Sequence, residues 1–102
     1  MIDKVKVITL DYDVVCEPEL RGTNGDILYG WSQQWSQKIL VNSDYTPEIQ
    51  LRAIWHETVH ALFCQMGLDD CDQEERIASA LGHMLPTLLR DCLLYTSDAA
   101  DE

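Results

Sequence analysis

Thr46-Pro47-Glu48-Ile49-Gln50-Leu51-Arg52-Ala53-Ile54-Trp55-His56-Glu57-Thr58-Val59-His60-Ala61-Leu62-Phe63-Cys64-Gln65-Met66-Gly67 is the stretch from which the fold of this chain is read. Thr46 can cap a helix, and Pro47 suits the first helical position, where no N–H is needed. Glu48 complements the positive end of the helix. Apolar side chains recur at Ile49, Leu51, Ala53, Ile54, Trp55, Val59, Leu62, Phe63 and Met66, and Gly67 supplies a left-handed stop. The spacing predicts a helix of roughly twenty residues that is apolar on most sides and therefore central to the fold.

Inside it lies His56-Glu57-Thr58-Val59-His60, an H-E-x-x-H pentapeptide. Residues four apart on a helix sit nearly above one another, about 6 Å along the axis. His56 and His60 can therefore offer two imidazoles to one ion while Glu57 projects from the adjoining side. This is the pattern of a hydrolytic zinc site with the glutamate as general base. The plainer reading is two core histidines and an incidental glutamate, but polar groups in so central an element need partners.

A zinc centre of this kind takes about three protein ligands and keeps one position open. Leu68 to Asp72 reads as a polar turn, with Asp72 as a cap. A second helix follows, with an apolar stripe at Ile77, Ala78, Leu81, Met84, Leu85, Leu88 and Leu89. Two helices joined by so short a turn pack antiparallel, which brings the start of the second beside the end of the first. Glu74 shares the face of Ile77, Ala78 and Leu81, while Glu75 lies beside Ala78, Ser79 and Gly82. Facing favours Glu74 as the third metal ligand, with Glu75 as the alternative; His83, two turns on, ranks behind both. The plainer reading of the Glu74–Glu75 pair is favourable charge in the first helical turn. Pro86 predicts a kink or a break in this helix. The metzincin pattern fails, because Phe63 and Met66 occupy its glycine and third-histidine positions. Cys64, one turn beyond His60, reads as a small buried filler rather than a ligand.

The half before Thr46 reads as strands. Lys4 to Leu10 alternates charged and apolar residues, the period of a half-buried strand. Asp11-Tyr12-Asp13 is expected to turn the chain into a short strand through Val14 and Val15. Pro18, Gly22, Asn24 and Gly25 mark Glu17 to Asp26 as an irregular loop. Ile27–Trp31 and Gln37–Val41 read as two strands joined around Ser32 to Ser36, with Trp31 and Trp35 expected in cross-strand packing. The fold class is α+β: a small antiparallel-rich sheet, then the H-E-x-x-H helix and a second packed helix.

A chain of 102 residues holds one domain with a modest core. Its net charge of −11 argues against a nucleic-acid backbone or an anionic membrane surface as partner, since both call for clustered cations. No secretory signal or membrane-spanning run is visible, and Cys16, Cys64, Cys71 and Cys92 are expected as free thiols.

His56-Glu57-Thr58-Val59-His60-Ala61-Leu62-Phe63, followed by Glu74-Glu75-Arg76-Ile77 and Leu88-Leu89-Arg90-Asp91, resembles the small phage and prophage zincins related to the ImmA/IrrE metallo-endopeptidases. The resemblance covers roughly residues 4–91 and is specific at the pentapeptide. It implies a minimal zincin-like fold, zinc on His56 and His60, Glu57 as catalytic residue and an acidic third ligand on the next helix. It further implies a protein or peptide substrate, such as a helix-turn-helix repressor of a mobile element; the expected location is the cytoplasm of a bacterial host cell. Residues 92–102 resemble a translated sequencing-library adapter, so residues 1–91 are expected to form the zincin-like metallopeptidase domain. Added-strand binding of substrate at Gln37–Val41 is expected, with Tyr29 and Tyr45 as candidate oxyanion donors. Two rival readings remain: a zinc-stabilised regulatory protein without turnover, and an acidic DNA mimic without metal.

Overall fold

A computed structural model of the chain describes the backbone of residues 2–68 and 71–101 and the side chains as far as Leu88. The expected class is found: the protein is α+β, with a four-stranded sheet and two helices. Strands β1 (Lys4–Val7) and β2 (Leu10–Glu17) form an antiparallel hairpin. Asp11 and Asp13 do not turn the chain; they lie within β2, opposite Lys6 and Lys4. The reason is period two. Tyr12 between them is fully buried, so both aspartates point outward beside lysines. The turn falls instead at Ile8-Thr9, with Ile8 at a φ of 58°.

After β2, residues 18–29 carry a small bridged turn, Arg21 opposite Ile27, with Leu20 buried beneath it. Strands β3 (Gly30–Gln33) and β4 (Lys38–Asn42) then form the second hairpin. The sheet order is β1-β2-β4-β3, with β4 parallel to β2. Two of the three strand pairings are antiparallel, but β4 is interior. The expectation that Gln37–Val41 offers a free edge is therefore wrong, and the edge on that side is β3. Burial explains the placement: Ile39, Leu40 and Val41 are all buried, as suits a strand covered on both faces.

Helix α1 (Pro47–Gln65) lies across β1, β3 and β4. The Thr46 hydroxyl accepts the Ile49 N–H at 3.3 Å. At the other end Gly67, φ 74°, donates to Cys64 O, and Leu68 donates to Phe63 O, closing the helix with paired carbonyls. Ala53, Ile54 and Ala61 pack onto Val7, Tyr12, Ile39 and Val41 to make the core. Helix α2 (Glu74–Asp101) begins one residue later than an Asp72 cap implies: Gln73 O accepts from Ile77 N, which puts Gln73 at the cap. It runs on through Pro86, so of the expected kink or break the break does not occur. Cys16, Cys64 and Cys71 are free, as expected; Cys92 and the adapter-like segment 92–102 lie beyond the described side chains.

Candidate metal centre

Helical periodicity alone brings His56 and His60 together. Their Nε2 atoms are 3.2 Å apart, with the rings tilted 56° to each other. Two donors each about 2.0–2.1 Å from one tetrahedral ion lie roughly 3.3 Å apart, so this pair already has the spacing that a shared ion requires. The carboxylate of Glu75 completes it, with Oε1 at 3.0 Å from His56 Nε2 and Oε2 at 3.0 Å from His60 Nε2. Ligand atoms of His56, His60 and Glu75 all lie within 4.8 Å of one another, a set that can hold a metal ion.

Glu74 has a different place. Its Oε2 meets Nδ1 of His60, on the far side of the ring from the cluster. A carboxylate on Nδ1 fixes the tautomer and turns the Nε2 lone pair toward an ion. The cluster that could hold an ion thus contains the alternative, Glu75, rather than the preferred Glu74: facing identified the inward carboxylate, with its side chain 15% exposed against 72% for Glu75. The inward one supports the histidine, and the exposed one reaches the open side where the lone pairs converge. Neither His83 nor Cys64 joins the cluster.

Glu57 projects beside the pair, as the motif predicts, with Oε2 3.9 Å from His56 Nε2. Its Oε1 accepts the backbone N–H of Ser32 at 3.0 Å. Burial pushes the Glu57 carboxyl above its ordinary 4.5, and Glu75 adds to the rise. The histidines and the Ser32 N–H oppose the shift without cancelling it. Burial by itself would lower the His60 imidazole, but the Glu74 contact and the charges of Glu57 and Glu75 outweigh it. His60 therefore sits above its ordinary 6.5.

Ser32 is itself held in place. Buried Tyr12 donates its hydroxyl to Gln34 Oε1 at 2.6 Å, and Gln34 Nε2 donates to Ser32 Oγ at 2.9 Å. The chain Tyr12–Gln34–Ser32 thus ties the core to the strand that grips Glu57. Asn42 N–H donates to Tyr29 O at 2.9 Å. By the alternation of an antiparallel ladder, Trp31 and Gln33 also face β4, so the peptide groups of Gly30 and Ser32 point to the outer edge, where Glu57 takes the Ser32 N–H.

Two glycines set the spacing on either side of the motif. A Cβ at Gly30 would lie 3.1 Å from Glu57 Cγ and 3.3 Å from Ala53 Cβ; one at Gly82 would lie 3.1 Å from Arg52 O and 3.2 Å from His56 Cβ. Ser32, Gln34, Gly30 and Gly82 are absent from the sequence-based set of site residues. Only the glycines carried a signal, since a glycine inside a strand or helix can mark a close approach of backbones.

The centre opens into a cleft of about 710 Å³, floored by α1 and walled by residues 27–31 on one side and α2 on the other. Tyr29 and Trp31 line it. Tyr45 stacks on Tyr29 with ring centroids 4.5 Å apart and is not in the lining. Trp35 stands fully exposed at the β3–β4 turn, so the expected cross-strand packing does not extend to it. Comparison of the chain with protein-family models, curated proteins and solved structures gives no match.

Proposed function

We propose that this protein is a zinc-dependent peptidase acting on a protein or peptide, with a regulatory protein of a phage or its host as the substrate that the resemblance implies. The observation that carries the reading is the convergence of His56 Nε2, His60 Nε2 and a Glu75 oxygen within about one ligand-to-ligand distance, with Glu57 beside them. The donor set is two imidazoles and a carboxylate, backed by Glu74 on Nδ1, and it fits zinc. Zinc bound there supplies Lewis acidity, polarising a carbonyl and bringing the pKa of a coordinated water toward about 7.

The chain's own residues do the rest. Ser32 N–H occupies Oε1 of Glu57, which leaves Oε2, on the His56 side, as the oxygen that takes a proton. Glu57, held in place by Ser32, can pass that proton on to the leaving amine. Glu74 keeps His60 in the ligating tautomer. The free edge offers the Gly30 peptide groups and the Ser32 carbonyl to an extended substrate, which moves the added-strand site from Gln37–Val41 to β3. Tyr29, in the cleft wall, is the better placed of the two tyrosines for an oxyanion. Glu57→Gln keeps the shape and removes the base. The protein should retain zinc and lose cleavage of a casein-derived peptide mixture, and cleavage that survives the substitution refutes the assignment.

A further inference from the structure

The cleft is electrostatically lopsided. Its carboxylates, Glu57 and Glu75, gather at the His60 end around the two motif histidines. Its arginine and its third histidine, Arg52 and His83, line the other end. Arg52 precedes His56 by one helical turn, about 6 Å along α1, and Gly82 packs against the Arg52 carbonyl, which brings His83 to the same level from α2. Both residues are exposed. Among the described residues no carboxylate lies within 4.0 Å of the Arg52 guanidinium; the ion pairs found all involve His56 or His60. In a chain with 7 cations against 18 acids, an arginine in a cleft without an acidic partner is a notable arrangement. Its planar fork matches a carboxylate in two hydrogen bonds, and the imidazole N–H adds a third donor.

We propose that the Arg52–His83 end of the cleft binds a carboxylate of the substrate. This rests on the peptidase reading above and adds a substrate class to it: peptides with a carboxylate close to the scissile bond. An extended peptide advances about 3.3–3.6 Å per residue, so the 6 Å from His56 to Arg52 spans roughly two residues. Two sources fit, a free C-terminal carboxylate or an acidic side chain. Both present the same group to Arg52. Ile27, Leu28 and Ile49 around this end supply apolar wall for the intervening side chains.

The test uses binding, so that it does not depend on turnover. Zinc-loaded Glu57→Gln protein is titrated calorimetrically with N-acetyl-Ala-Phe-Ala as the free acid, with its amide, and with the amide of N-acetyl-Ala-Phe-Glu. The acid should bind about tenfold more tightly than its amide, the gain of one charged hydrogen-bonded contact. Arg52→Ala should abolish that preference while leaving zinc content unchanged, and Arg52→Lys should keep part of it. Recovery by the Glu-containing amide assigns the site to acidic side chains; no recovery assigns it to chain ends. Equal binding of acid and amide, or a preference that survives Arg52→Ala, overturns the proposal, the latter pointing to carboxylate binding on the metal. The two readings fail separately. Glu57-dependent cleavage without an Arg52-dependent preference removes only the carboxylate site, and the preference without any cleavage removes only the peptidase.

Discussion

Gly82→Ala tests whether the distance between α1 and α2 sets the metal centre. In an unconstrained helix interior this substitution stabilises by about 1 kcal/mol, because glycine has more backbone freedom to lose. Here the new methyl would lie 3.1 Å from Arg52 O and 3.2 Å from His56 Cβ. The oxygen belongs to helix backbone and cannot rotate away. Ordinary contact is about 3.4 Å, so the helices must part by roughly 0.3 Å, while metal–ligand distances tolerate only about 0.2 Å. Overpacking of this kind costs about 1–3 kcal/mol, which offsets the propensity gain and leaves the metal-free fold unchanged or up to about 2 kcal/mol less stable. The larger effect falls on zinc, because His56 and His60 ride on α1 and Glu75 on α2. Affinity measured by competition with a chromophoric chelator should drop about tenfold, the scale of a disturbed supporting shell. A variant that binds zinc as tightly as the parent and melts higher by the full propensity gain would refute the argument.

Other expectations follow from single contacts. Glu75→Gln should weaken zinc binding more than Glu74→Gln, with the latter losing about tenfold through the freed His60 ring; the reverse order in the same chelator competition restores Glu74 as the ligand. The two raised groups act in one direction on the metal-free protein. His60 contributes stability that is full below pH 6.5 and lost as pH rises through its higher folded value, and Glu57 costs stability as it ionises in the fold above 4.5. Since zinc requires neutral His60, the gain in melting temperature on adding zinc should keep growing as pH rises above 6.5, and a gain that has already levelled off at 6.5 contradicts the shift. Ile8 is half exposed and β-branched, yet sits at φ 58° in a two-residue hairpin turn. Ile8→Gly should relieve about 1 kcal/mol of strain and raise the melting temperature by roughly 4–8 °C; a lower one would show that Ile8 packing outweighs the backbone.

The sequence is most readable where structure is set by near neighbours. Thr46, Pro47 and Gly67 mark the ends of α1 because capping is local, and His56 and His60 meet because the helical repeat requires it. Non-local pairing left weaker traces. Nothing within Lys38–Asn42 says that it lies between β2 and β3, although three consecutive buried apolar residues, Ile39, Leu40 and Val41, carry the composition of a central strand. The choice between Glu74 and Glu75 was less legible, for a physical reason. An apolar stripe reports which face of α2 points inward, and Glu74 does point inward, onto Nδ1 of His60. The open side where the Nε2 atoms converge lies at the margin of that stripe, so the carboxylate that joins the cluster is the one the stripe leaves exposed, Glu75. The same logic explains Arg52. Periodicity marks it only as a polar interruption on α1, and its significance appears once α2 and residues 27–31 rise on either side to make that position one end of a cleft.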